Sequence, residues 1–145
     1  MRGLWLLPAL PFAGALIGTA LLALRGRIPG RERAATWVGC GTAGVTLTWA
    51  LVLLARFLGS PERAAGGAWE ETLFTWVSAG NLWTTAVGQR ALEFPMAFQL
   101  DALSAVMVFV VTFVGFWIHL YSAGYMAGHR GYQRYFVYLN LFLGA

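Results

Sequence analysis

The chain has 145 residues, of which 59% are hydrophobic and only 11% charged, with a formal net charge of +4 and a mean hydropathy of +0.64. That balance excludes an ordinary soluble domain of this length and indicates an integral membrane protein. All ten basic residues are arginines set beside apolar runs, a pattern that orients membrane helices rather than one that binds nucleic acid; the single cysteine, Cys40, excludes an intrachain disulfide or a cysteine metal cluster.

Four apolar segments qualify as spans or part of one, over about 3–24, 34–58, 102–122 and 132–145. The first two hold the charge-free runs Gly3–Leu24 and Ala34–Ala55, and each is long enough to cross a hydrocarbon core of about 30 Å. The first follows Arg2 and could be a signal peptide. Its apolar run is longer than such a leader needs, carries Pro8 and Pro11, and leads to Arg25 and Arg27 without a cleavage site, so a retained helix is expected. Gly14 and Gly18 form a GxxxG, and Ala35, Gly39 and Ala43 repeat small residues every fourth position, which permits close helix packing. Cys40, within the second run, reads as a small buried hydrophobe.

Arginine counting gives an orientation. Arg25–Arg33 holds four arginines against Glu32, and the turn before the last apolar segment holds His129, Arg130 and Arg134, so both are expected on the cytoplasmic side. The long segment 59–101 carries Glu62, Glu70, Glu71, Glu93 and Asp101 against Arg63 and Arg90, and falls outside, as does the N-terminus.

That segment opens with the loop GSPERAAGG. Trp69–Val77, rich in threonine and aromatic residues, predicts a strand, Ser78–Asn81 a turn, and the alternation of Leu92, Phe94, Met96, Phe98 and Leu100 a second strand. Pro95 cannot donate to a ladder and requires an edge position. The expectation is a small extracytoplasmic β-hairpin whose apolar side, with Phe94, Met96 and Phe98, is covered by a neighbouring helix end or subunit.

Asp101 opens DALS where strand alternation gives way to an apolar run, so its carboxylate can cap the free amides of Leu103 and Ser104; a proton-handling role is the alternative. His119 follows 18 residues later, about 27 Å along a helix and near the cytoplasmic interface. Tyr121, Tyr125 and His129 lie close in sequence, which suits an interfacial hydrogen-bonding role, with proton access as the alternative. No carboxylate or second histidine stands at metal-ligand spacing from it. Trp117 and the tyrosines at 121, 125, 132, 135 and 138 read as headgroup-level anchors. Asn140 needs a partner in a dry setting, an interhelical hydrogen bond being favoured over ligand binding. Tyr135–Ala145 spans only about 16 Å as helix, so the fourth span is expected to be truncated, with the chain stopping inside the membrane. No Asp, Glu, Lys or Arg occupies the centre of any span, and no phosphate loop, nucleophile–base set or cysteine ligand set is present, so the chain shows no catalytic machinery of its own. The fold class is therefore an all-α membrane protein, a multi-pass helix bundle of three full spans plus a truncated fourth, with the hairpin between spans two and three.

The run FQLDALSAVMVFVVTFVGFWIHLYSAGYMAGHRGYQRYFVYLNLF, with LPALPFAGAL at Leu7–Leu16 and ETLFTW at Glu71–Trp76, resembles the antiporter-like subunit L family of respiratory complex I, the proton-translocating NADH:quinone oxidoreductase. The resemblance covers essentially the whole chain and corresponds to the first quarter or less of the family's length. It implies a many-helix bundle with inverted repeats, membership of the proton-pumping membrane arm in a bacterial inner membrane, and other membrane-arm subunits and the lipid bilayer as partners. It implies no cofactor in this chain, with NADH, FMN, iron-sulfur clusters and quinone on other subunits. The family's proton-transfer Glu and Lys residues lie on later helices and cannot be carried over. Asp101, Ser104, His119, Tyr121, Tyr125, Tyr135 and Asn140 match its pattern as supporting or proton-access residues. The ending LGA departs from it, as a truncated chain would. Two rivals stay open: the large subunit of a multisubunit sodium/proton antiporter, against which the IHLYSAGYM and YLNLF wording speaks, and a short structural membrane protein without transport activity.

Overall fold

The computed structural model describes residues 3–23, 31–61, 66–85 and 88–145, with the backbone alone for 31, 32 and 78–92. Arg2, which entered the signal-peptide reading, and Arg25, Arg27, Glu62 and Arg63, which entered the orientation argument, lie outside the described residues. The elements are α1 (Leu6–Ala23), α2 (Arg31–Leu58), β1 (Trp69–Thr85), β2 (Gly88–Leu100), α3 (Ala102–Tyr125) and α4 (Tyr132–Gly144). Among the described residues, three helices are long and apolar enough to cross a membrane: α1, residues 33–58 of α2, and α3. The fourth starts at Tyr132, and its 13 residues make roughly 20 Å of helix, less than a hydrocarbon core.

Small residues set the packing. Gly14 of α1 faces Thr42 of α2, so close that an added Cβ would stand 2.9 Å from the Thr42 Cβ. Gly3, just before α1, meets the Trp49 indole and Gly44 of α2 meets Phe116 of α3, while four further close approaches involve α4: Gly18 of α1 meets Val137, Gly39 of α2 meets the Phe136 ring, Gly115 of α3 meets Leu143, and Gly144 itself meets Phe12. α4 thus touches all three long helices through glycines that let backbones approach, the means by which helices associate where lipid offers no hydrophobic drive. On α2 the buried residues Ala35, Gly39, Ala43, Thr46, Ala50, Leu53 and Phe57 recur every three or four positions, a single inward stripe.

At the end of the bundle opposite the α3–α4 turn, Leu4, Leu53, Phe57, Trp69, Leu100 and Ala105 form a buried apolar cluster. Phe57 and Trp69 meet edge to face, centroids 5.4 Å apart. This cluster joins the base of the hairpin to the helices. Glu71, also buried, accepts a hydrogen bond from the Leu4 amide at 2.7 Å, a donor in the turn that leads into α1.

The hairpin is longer than expected. Ser78–Asn81 is not its turn: the strand runs through it to Thr85, and the connection falls at 86–87, outside the described residues. β1 has 17 residues against 13 in β2. The surplus is absorbed as one, one and two extra residues at the register shifts Thr72/Phe74, Thr75/Val77 and Ala79/Trp83. Gly80 and Asn81 lie in the last of these, so residues whose composition suits a reversal fill a bulge instead. Pro95 pairs with Thr75 beside the second shift, in a two-stranded sheet where each strand has an open edge. Thirteen residues of strand extend roughly 40 Å. Beyond the buried base at Trp69, Glu71 and Leu100, the described side chains of both strands are exposed, including Phe74, Trp76, Phe94 and Met96.

Candidate functional site

Polar side chains collect between α2, α3 and α4. On α3, Thr112, His119 and Ser122 are buried and share one helix face with Gly115, at steps of three and four residues. On α4, Tyr132, Phe136 and Asn140 are buried at steps of four. α2 supplies Thr36 and Thr42 beside its buried stripe. Registers follow from the contacts: Thr36 meets Tyr132, Gly39 meets Phe136 and Thr42 meets Asn140, so α2 and α4 run parallel and α3 runs against them.

Nearest the α3–α4 turn, the Tyr132 Oη lies 2.5 Å from Thr36 Oγ1 and donates to the Ala123 carbonyl at 3.3 Å. Ser122 Oγ and Tyr135 Oη are 3.0 Å apart, and either can donate. Deeper in the bundle, Thr42 Oγ1 donates to Asn140 Oδ1 at 2.7 Å, and Asn140 Nδ2 donates to the Phe136 carbonyl at 3.0 Å. His119 is 1% exposed. Its Nδ1 is 2.7 Å from the Gly115 carbonyl, while its Nε2 is buried without a hydrogen-bond partner among the described residues. The Cys40 thiol donates to the His119 carbonyl oxygen at 3.5 Å, and the Phe136 ring lies 6.3 Å from the imidazole.

His119 therefore does not sit with Tyr121 and Tyr125. Residues two apart on a helix point about 200° apart, and those tyrosines are exposed and stacked on each other at 5.7 Å. Counting residues along α3 fixes the height of His119 on the helix axis but not its face. Tyr132, read as a headgroup anchor, is likewise buried, whereas Tyr138 is exposed.

Asp101 and Ser104 stand apart, at the hairpin end. Asp101 Oδ1 accepts from the Ser104 amide at 2.7 Å, and the Asp101 amide donates to Ser104 Oγ at 2.8 Å, a reciprocal capping box. The Ser104 hydroxyl, then its amide, holds the Asp101 carboxyl below the usual aspartate range. Thr36, Thr42 and Ser122 were not anticipated. Ser122 was accessible from its spacing to His119, but the threonines required knowing that α2 lies along α4. Among the described residues no group of three His, Cys, Asp or Glu could hold a metal ion. Chemically the seam offers hydroxyls, one amide and one imidazole, groups that hold and pass protons and hydrogen bonds.

Residues 83–136 match the family profile described as NADH-Ubiquinone oxidoreductase (complex I), chain 5 N-terminus. The chain is 38% identical over 141 residues to NADH-quinone oxidoreductase subunit L of Pseudomonas aeruginosa, covering 97% of this chain and 20% of that protein. It is 38% identical over 146 residues to the subunit L of Mycobacterium tuberculosis, covering 97% and 19%, and 38% identical over 134 residues to that of Escherichia coli, covering 90% and 19%. The chain thus spans about a fifth of the length of the curated relatives it matches. On these matches, the chain belongs to the family of subunit L of NADH-quinone oxidoreductase.

Proposed function

We propose that this chain is part of the proton-pumping membrane arm of a bacterial NADH:quinone oxidoreductase, a translocase that couples electron transfer from NADH to quinone with proton movement. The observation that carries this reading is the 38% identity to subunit L across 97% of the chain. The similarity to subunit L of NADH-quinone oxidoreductase favours it over the sodium/proton antiporter and over a structural protein without transport activity. In this reading the chain carries no redox centre; NADH, FMN, the iron-sulfur clusters and quinone belong to other subunits. The pump's intramembrane Glu and Lys lie on helices beyond these four. The N-terminus and the hairpin face the outside of the inner membrane, in keeping with the acidic balance of 59–101 and the arginines of the α3–α4 turn. α4 is then the start of a fourth span. Asp101 and Ser104 fix the outer end of α3, Tyr121 and Tyr125 anchor its inner end at the headgroups, and Tyr135 and Asn140 hold α4 in the bundle.

The exposed aromatic side chains of the hairpin suit a contact with a neighbouring membrane-arm subunit. The test is to tag the chain in its own host, solubilise membranes mildly and separate complexes on a native gel. Co-migration with NADH:quinone reductase activity is expected. A tagged chain that migrates apart from that activity, in membranes where the activity is present, would overturn the assignment.

A further inference from the structure

We propose that His119 is a buried proton-binding site, its free Nε2 loaded from the arginine-bearing end of the bundle through the hydroxyls of Tyr132, Ser122 and Tyr135. The tautomer follows from geometry. A carbonyl oxygen only accepts, so the Nδ1 that faces Gly115 at 2.7 Å carries the ring proton, and a neutral imidazole then has its lone pair on Nε2. That lone pair is enclosed and has no donor among the described residues. An ionisable side chain kept inside a membrane helix, with an acceptor left open, is costly for structure alone and is the ordinary mark of function.

His119 lies six residues from the end of α3, roughly 10 Å from the turn that bears Arg130, with Arg134 in the first turn of α4 beyond it. Between them stand two hydroxyl pairs: Thr36–Tyr132, in which Thr36 donates while Tyr132 donates to the Ala123 carbonyl and which reverses only when that bond is released, and Ser122–Tyr135, in which either oxygen can donate. Such pairs can reverse direction and hand on a proton without net displacement of heavy atoms. Ser122, three residues after His119 on the same buried face, presents the last hydroxyl of the proposed route. The step balances simply: hydronium at the turn gives its proton and becomes water, neutral imidazole becomes imidazolium with Nδ1–H still on Gly115, and release retraces the path. No carboxylate or arginine faces the ring among the described residues. Among the described side chains, the titratable groups on the elements packed around it are the Cys40 thiol of α2 and the phenols of Tyr132 and Tyr135 on α4, while Tyr138 of α4 is exposed and Arg33, Arg56 and Arg134 are exposed near helix ends.

The chain's two histidines make the test direct. The whole chain, with exposed His129 replaced (H129Q) and histidine labelled with nitrogen-15, is placed in lipid nanodiscs and followed by NMR against pH, with circular dichroism recording helix content. The expected result is a neutral Nδ1–H tautomer at high pH that converts to imidazolium on acidification while the helices persist. Y135F and S122A should each slow proton exchange at Nε2 at least about tenfold, the scale on which a positioned proton relay acts, while Y121F, on the exposed face, should leave it unchanged. S122A carries the same test should Y135F fail to fold. An Nε2–H tautomer, a spectrum unmoved by pH while helix content holds, or exchange indifferent to both relay variants would overturn the proposal. The inference goes beyond the role in the pump, and since no other subunit enters the measurement, its failure leaves that reading standing.

Discussion

Replacing Gly14 by alanine tests whether the α2–α4 hydrogen bond is held from behind by α1. The new Cβ would lie 2.9 Å from both Cβ and Cγ2 of Thr42. Thr42 Cβ sits on the α2 backbone and cannot swing aside, so either the helices separate or Thr42 turns. Overpacking of this kind costs about 1–3 kcal/mol. If Thr42 turns, its bond to Asn140 is lost as well; interhelical hydrogen bonds in membranes are worth about 0.6 kcal/mol on average and up to roughly 1.7. Together the expected destabilisation is about 2–4 kcal/mol. Thr42→Ala alone removes the hydroxyl and a methyl, at about 1–2 kcal/mol, and because it also removes the Oγ1 and Cγ2 contacts while the 2.9 Å contact to Cβ remains, the double variant should be less destabilised than the sum of the singles by about 0.5–1 kcal/mol. Reversible unfolding in mixed detergent micelles, followed by circular dichroism, measures all four proteins of the cycle. A Gly14→Ala protein within about 0.5 kcal/mol of the parent, or strictly additive singles, would refute the coupling.

Glu71→Ala should cost about 1.5–3 kcal/mol, the scale of a hydrogen bond to a charged group, and hydrogen exchange should quicken selectively at the Leu4 amide; unchanged protection there would count against the anchor. Asp101 has its folded-state titration lowered by Ser104, so its cap stabilises above the ordinary aspartate range and is lost as pH falls through the lowered value. Asp101→Asn keeps a capping side chain and should flatten that acid dependence, read from the exchange of residues 102–104 across pH. Phe74 and Trp76 are 57% and 71% exposed. Replacing both with serine should leave the unfolding of the chain unchanged but detach it from the reductase activity on native gels, and loss of fold stability instead would mean the strand packs on its own helices.

Helices were legible because apolar runs of this length have few other solutions, and the boundary at Asp101 was legible because capping is local chemistry read from four residues. Gly14 and Gly18, and the Ala35, Gly39 and Ala43 stripe, announced close packing but not their partners, since any small residue fits many neighbours. The SAGN segment misled for a related reason. Gly and Asn favour turns, yet they suit a bulge equally, and only the pairing of Ala79 with Leu92 and of Trp83 with Arg90 decides between the two. His119 shows the remaining gap: axial height follows from counting residues, but which face meets α2 and α4 depends on contacts nearly eighty residues apart, such as Cys40 with His119.

The base of the hairpin is also a mechanical joint. The Leu4 amide is tied to Glu71, and the adjoining Gly3 carbonyl is tied to Trp49 Nε1 at 3.0 Å, where the left-handed backbone of Gly3, φ +77°, leaves room for the indole. Two consecutive residues of one strand of chain are thus pinned to two different elements. A load applied to the ribbon passes through the carboxylate to the head of α1 as tension along the helix, while the indole fixes that head sideways against α2. Tilting of the ribbon would therefore be resisted by stretched hydrogen bonds at one small pivot, and α1 could not slide by a helical turn without breaking both.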